Sequence, residues 1–258
     1  MKFGVCYDVE KALAEFTPNA DYIEIKGSQI CAMDEAVYDR VRRAVQEGRL
    51  PTYSCNGLID PALRLTGEDV SLAAIGAYCD KLFYRLAELG VTMLVFGSGK
   101  AKRVPEGFDR DRAWDQLYQI GDLLAEKAKP FGQTIAVEPL RYEEVNIVNT
   151  VDEGADYVKQ VGRDNFRLLV DFYHFDSNGE DFASLRRHRD LLVHTHFATP
   201  SVRDIPRTQE EWSFFDRCQS VLREIGYQGS MSYEGHGKEL SALDGMLAQM
   251  KALDWKQS

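Results

Sequence analysis

The chain has 258 residues, 44% of them hydrophobic, and a formal charge of −10 at pH 7. That charge argues against nucleic acid as the main partner, since phosphate neutralisation needs a basic surface, but leaves room for a small anionic substrate in a locally basic pocket. Cys6, Cys31, Cys55, Cys79 and Cys218 are odd in number and form no C-x-x-C pair. No apolar run approaches the ~18 residues that span a bilayer, and MKFGVCYDVEKALAEF has no secretory apolar region. The expectation is a cytoplasmic protein with reduced thiols and no membrane partner.

Taken in order, Lys2–Cys6 is a candidate first strand, followed by a short helix over Val9–Phe16. Tyr22–Lys26 is a second strand and Asp34–Gln46 a helix. Pro51–Cys55 is a third strand, ending in the loop CNGLIDPALRLTG. Thr66 with Asp69 resembles a capping box ahead of a long helix that carries Leu72, Ile75, Cys79, Leu82, Leu86 and Leu89 at steps of three or four and stops at Gly90. Met93–Phe96 is a fourth strand, opening into GSGKAKRVPEGF, and Asp109–Lys129 is helical up to Pro130. Thr134–Val137 and Phe166–Val170 are strands five and six, with a helix over Thr150–Val161 between them, started by Thr150 and Glu153. Leu191–His196 is strand seven. Thr208 and Glu211 cap a helix over Gln209–Ile225, Gly229–Glu234 is strand eight, and Ser241–Trp255 is the last helix.

Short continuous apolar runs are the pattern of buried parallel strands. Eight of them in alternation with helices predict right-handed crossovers and closure into a (β/α)8 TIM barrel, a single domain over residues 1–258, since one such barrel uses about 250 residues. An open doubly wound sheet is the alternative, but strand one lacks a G-x-G-x-x-G turn, and GSGK is too short for a phosphate loop.

Glu138, Asp171, His196 and Glu234 stand at the ends of four consecutive strands, which a barrel brings to one mouth. Each alone has an ordinary reading: a solvated or arginine-paired glutamate, or a core histidine. Together, three carboxylates and an imidazole suit one divalent cation, which would offset their mutual repulsion. The oxygen-rich set favours Mn²⁺ or Mg²⁺ and admits Co²⁺ or Zn²⁺.

The segments EPLRYEEVNIVNT after strand five, DFYH after strand six, HTH on strand seven and YEG near the end resemble the xylose isomerase-like barrels that include sugar (phosphate) isomerases and ketose 3-epimerases. The likeness extends over nearly the whole chain and is specific for the superfamily, not for one substrate. It implies that Glu138, Asp171, His196 and Glu234 are the metal ligands and that Glu138 and Glu234 also form the acid/base pair. It implies substrate contacts from His174, Glu144 and Arg203, with Arg207 open as the alternative arginine, because the spacing after His196 is one residue longer than expected. Arg141 stands where many members carry Asn. The implied activity is a metal-dependent sugar or sugar-phosphate isomerisation or epimerisation: a carboxylate removes the proton next to a carbonyl, and the cation stabilises the enediolate. Related barrels are often homodimers or homotetramers.

Other residues carry several readings. His194 is a contact behind His196, a substrate contact or a core histidine. Glu24 suits a generic hydrogen-bonding role, and Tyr7, Asn56 and Lys100 are candidates for the pocket wall. Lys100, Lys102 and Arg103 suit either a phosphate or a basic surface loop. Trp212, Phe214 and Phe215 are expected to be exposed, as an interface or a lid. Competing functions are a dehydratase of inosose or 3-dehydroshikimate type, an abasic-site endonuclease and a non-catalytic binding barrel. Five histidines and the acidic charge count against the endonuclease.

Overall fold

The computed structural model describes residues 1–17 and 19–254. Its strands are β1 (Lys2–Cys6), β2 (Tyr22–Lys26), β3 (Thr52–Asn56), β4 (Met93–Phe96), β5 (Thr134–Val137), β6 (Phe166–Asp171), β7 (Leu192–Phe197) and β8 (Ser230–Tyr233). They form one closed barrel in sequence order, and β1 pairs in parallel with β8 to complete it. The fold is the expected (β/α)8 TIM barrel, and strand boundaries move from expectation by one or two residues.

The helices are α1 (Val9–Ala14), α2 (Gly27–Ala32), α3 (Glu35–Gln46), α4 (Leu72–Glu88), α5 (Gly99–Lys102), α6 (Arg110–Ala128), α7 (Val151–Val161), α8 (Phe172–Ser177), α9 (Ala183–Arg187), α10 (Gln209–Glu224) and α11 (Leu240–Ala252). The long ones form where an apolar stripe recurs at helical spacing. On α4 the stripe is Ile75, Cys79, Leu82, Phe83 and Leu86, all buried. The main core lies between these stripes and the outer faces of the strands.

Three capping expectations have different outcomes. Thr208 and Glu211 form a complete reciprocal capping box. Thr150 accepts from the Glu153 amide, but the Glu153 carboxylate accepts from the Asn149 amide instead of that of Thr150. Thr66 caps nothing: its hydroxyl donates to the carbonyls of Lys102 and Arg103, and Ser71 caps α4 by accepting from the Ala74 amide at 3.2 Å. The expectation of exposed aromatics on α10 is also corrected. Phe214 and Phe215 are buried against Phe197, and Trp212 packs edge-on to Phe215. The expected end of the last helix at Trp255 lies outside the described residues.

Inside the barrel the two sides differ. Met93, Val95, Ala136 and Leu169 from β4–β6 form a small apolar cluster of their own. The other side is polar, with Tyr22, Glu24, Ser54, His194, Ser230 and Ser232 all buried. Gly4 makes room for it, because a Cβ there would meet the Tyr22 ring at 2.1 Å. Among the described residues no helix is long and apolar enough to cross a membrane.

Candidate active site

Each of the four strand-end residues is delivered by its own strand. Glu138 follows β5, Asp171 ends β6, His196 lies on β7 directly paired with Asp171, and Glu234 follows β8. One ligand atom from each comes within 4.8 Å of all the others. His196 stands between the two glutamates, with Nδ1 3.2 Å from Glu138 Oε1 and 3.1 Å from Glu234 Oε2. Gly97 on the neighbouring strand end is required by this packing, since a Cβ there would meet Glu138 Oε2 at 2.2 Å.

The donor set fits a divalent cation. Glu138 Oε1 is buried and has no hydrogen-bond partner among the described residues, a costly state for a carboxylate unless a cation meets it. A second group that could hold an ion, Cys6, Glu24 and His196, shares His196, but both Glu24 oxygens already accept hydrogen bonds.

Charge is unevenly distributed over the cluster. Burial pushes Glu138 up, and Glu234 beside it adds to the rise. Burial also raises Asp171, to about 6 against the pull of Arg203. Glu234 goes the other way: burial would raise it, but His196 and Arg203 hold it at about 2. Burial alone would lower His196, yet Glu24 and Glu234 lift it well above the usual imidazole range.

Arg203 is the arginine that reaches the site. Its guanidinium is 2.8 Å from Glu234 Oε2, 3.4 Å from Asp171 Oδ2 and 3.6 Å from Glu144 Oε1, and it lies over the Tyr173 ring at 4.8 Å. The backbone at Arg203 has φ +50°, a left-handed conformation rare outside glycine. Arg207 is exposed, its amide spent on the Glu211 carboxylate at the start of α10. Glu144 is shared between Arg203 and Arg141, the latter at 2.9 Å. His174 is buried, with Nε2 3.5 Å from Asp171 Oδ2 and Nδ1 without a partner among the described residues; burial lowers its pKa.

His194 lies two residues deeper on β7 than His196. Both its nitrogens are taken, Nδ1 at 2.9 Å from Ser230 Oγ and Nε2 at 2.9 Å from Glu24 Oε2. The geometry therefore gives it a place behind His196 and leaves no nitrogen for a substrate. The phosphate reading of the loop after β4 is not supported either. Lys102 is buried, its pKa lowered to about 8 by burial, and donates to the Glu138 carbonyl at 3.1 Å. Arg103 donates to the carbonyls of Glu143 and Glu144.

Two contacts were not assigned from sequence. Asn56 at the end of β3 donates to Glu234 Oε1 at 2.7 Å, and its position at a strand end is the signal that makes it a wall candidate. Lys238 donates to the Cys6 carbonyl at 2.6 Å, and lines a pocket with Tyr7, Glu24, Asn56 and Glu234. No motif marks it.

The chain is 24% identical over 257 residues to the D-psicose 3-epimerase of Agrobacterium fabrum, covering 91% of this chain and 84% of that one. It is 26% identical over 226 residues to the 3-dehydro-D-guloside 4-epimerase of Escherichia coli, covering 84% and 83%. Among solved structures, a D-psicose 3-epimerase crystallised in the presence of D-fructose superposes with a TM-score of 0.79 at 20% identity, over 98% of this chain and 97% of that one, a likeness of fold. The sequence model of the xylose isomerase-like TIM barrels matches residues 12–255. With the closed barrel and the strand-end cluster in place, that match across nearly the whole chain assigns it: the protein belongs to the xylose isomerase-like TIM barrel family.

Proposed function

We propose that the protein is a divalent-metal-dependent isomerase or epimerase of a sugar or sugar phosphate, with Glu138 and Glu234 as its acid/base pair. One observation carries the reading: two glutamates from β5 and β8 flank the same imidazole nitrogen, at 3.2 and 3.1 Å. Epimerisation at a carbon next to a carbonyl needs a base on one face and an acid on the other. A pair of carboxylates pushed to opposite protonation tendencies by their surroundings supplies both roles. Here burial favours the protonated form of Glu138, and His196 and Arg203 favour the ionised form of Glu234.

Glu138, Asp171, His196 and Glu234 would hold the cation, and the oxygen-rich set favours Mn²⁺ or Mg²⁺. When bound, such a cation polarises the substrate carbonyl and makes the adjacent C–H more acidic. The rest falls to the chain's own groups. Glu234 Oε2 takes the proton from one face, and Glu138 returns one to the other, or the roles reverse with the substrate epimer. Arg203, stacked on Tyr173 and tied to Glu144, orients substrate oxygens beside the pair, and His174 offers an imidazole nitrogen for another. The five free, buried cysteines support a cytoplasmic location. The names of the two epimerase relatives support a ketose or keto-glycoside as substrate.

The test is product analysis by NMR on a panel of free and phosphorylated ketoses, with chelator-stripped protein and with Mn²⁺ or Mg²⁺ restored. An epimer or an aldose that forms only with metal supports the proposal. Loss of water from an inosose, with every ketose unchanged, would replace it with the dehydratase reading.

A further inference from the structure

Behind the mouth lies a buried network that the reaction does not use directly. Glu24, on β2 and only 1% exposed, collects four donors. Its Oε2 is 2.7 Å from Ser54 Oγ, 2.6 Å from Ser232 Oγ and 2.9 Å from His194 Nε2, and its Oε1 is 2.8 Å from His196 Nε2. Glu24 is reached from β3, β7 and β8, so its position is fixed from three sides. The β2–β3 register shifts between Ile23 and Glu24, which sets Glu24 opposite Ser54, the re-aiming of a side chain that a local irregularity provides. Tyr22 Oη is 2.9 Å from Ser232 Oγ and Ser230 Oγ is 2.9 Å from His194 Nδ1, so the hydroxyls around the carboxylate are themselves held.

We infer that Glu24 is a positioning residue for the proposed metal site: it holds the His196 ring through Nε2 so that Nδ1 is the nitrogen that faces the cation. A carboxylate only accepts, so the His196 Nε2 beside Glu24 must carry the hydrogen. With the hydrogen kept at Nε2, Nδ1 is the nitrogen left for the cation; it lies 3.2 and 3.1 Å from oxygens of Glu138 and Glu234, and without metal it donates to Glu234 Oε2. A carboxylate behind a ligating imidazole raises its basicity and restrains its rotation. His194 and the two serines hold Glu24 in turn.

This inference rests on the proposed metal site, and the test separates the two. Metal affinity is measured by titration calorimetry with Mn²⁺ and Zn²⁺ on wild type, Glu24→Gln and Ser54→Ala, with folding checked by circular dichroism. The Glu24→Gln substitution would place an amide N–H among four donors and hand a hydrogen to one imidazole. It is expected to weaken binding about 10- to 100-fold, and Ser54→Ala, which removes one support without touching His196, by no more than about threefold. A folded Glu24→Gln protein that binds metal as tightly as wild type overturns the inference and leaves the metal site standing. A wild type that binds neither ion overturns both. Independently of any variant, long-range ¹H–¹⁵N spectra of the Zn²⁺-loaded wild type should show His196 protonated at Nε2 and ligated through Nδ1; a ring protonated at Nδ1 overturns the inference.

Discussion

Glu24 and Glu138 are both buried carboxylates within reach of His196, yet their surroundings push them in opposite directions. Glu24 is held well below the usual carboxylate range: burial alone would raise it, but His196 and His194 outweigh that. Glu138 is raised by its burial, and its Oε1 has no hydrogen-bond partner among the described residues. Burial is common to both, so donors decide the difference. A carboxylate saturated with four donors is a support, whereas one left short among other acids is a place where a ligand or a proton is to be taken up.

The largest effect that sharpens this contrast is on chemistry. Glu138→Gln and Glu234→Gln should each lower turnover by about 10²- to 10⁴-fold, the usual contribution of a positioned acid or base, with little change in the circular dichroism spectrum. A variant retaining near wild-type turnover would remove that glutamate from the acid/base pair.

Stability should respond the opposite way at the two sites. Glu24→Ala leaves four buried donors without their acceptor and should destabilise by about 3–5 kcal/mol, a fall in Tm on the order of 10 °C. Glu138→Gln in metal-free protein should not destabilise at neutral pH and should raise Tm slightly. The sign follows from linkage. A carboxylate raised on folding favours the native state below its unfolded pKa, and that advantage is lost as pH rises through its folded value. The benefit of Glu138→Gln should therefore appear at pH 8 and vanish at pH 4. Glu24, lowered on folding, contributes stability above the ordinary carboxylate range, and that contribution is lost as pH falls through its folded value. A melting series across pH on both variants would break the comparison if the two behaved alike.

The smallest effect concerns a carboxylate away from the mouth. Glu180 accepts from the Val151 amide at 2.8 Å, and burial raises it to about 7. Native stability should drop as pH rises from about 4.5 to about 7 through this group. Because Glu180 keeps some solvent contact, Glu180→Gln should recover only about 2–4 °C at pH 8 and nothing at pH 4, as scanning calorimetry would register.

The barrel was legible because buried parallel strands leave short apolar runs, and the long helices α4, α6, α7 and α10 leave a 3.6-residue stripe. The short helices α2, α8 and α9 were not, since five or six residues give little period to separate from a loop; α1, equally short, was read two residues too long. Thr66 misled because a threonine three residues before an acid is also found in loops, where its hydroxyl serves carbonyls instead. In the site, acids and a histidine at successive strand ends stood out because topology alone brings strand ends together. The role of Glu24 did not, because its four donors come from three other strands and meet only inside the closed barrel. The placement of Arg203 depends on a left-handed backbone that no local motif announces, and the burial of Phe214 and Phe215 depends on the Phe197 face they cover.

Proton transfer at a carbon beside a carbonyl, dependent on a bound divalent cation, is tested by deuterium incorporation from D₂O into a panel of free and phosphorylated ketoses, followed by NMR, with Mn²⁺ added and with metal stripped. Metal-dependent exchange is expected at the carbon next to the carbonyl, at C3 for epimerisation or with an aldose product for isomerisation. Protein that binds the cation tightly yet exchanges no proton in any ketose would contradict it.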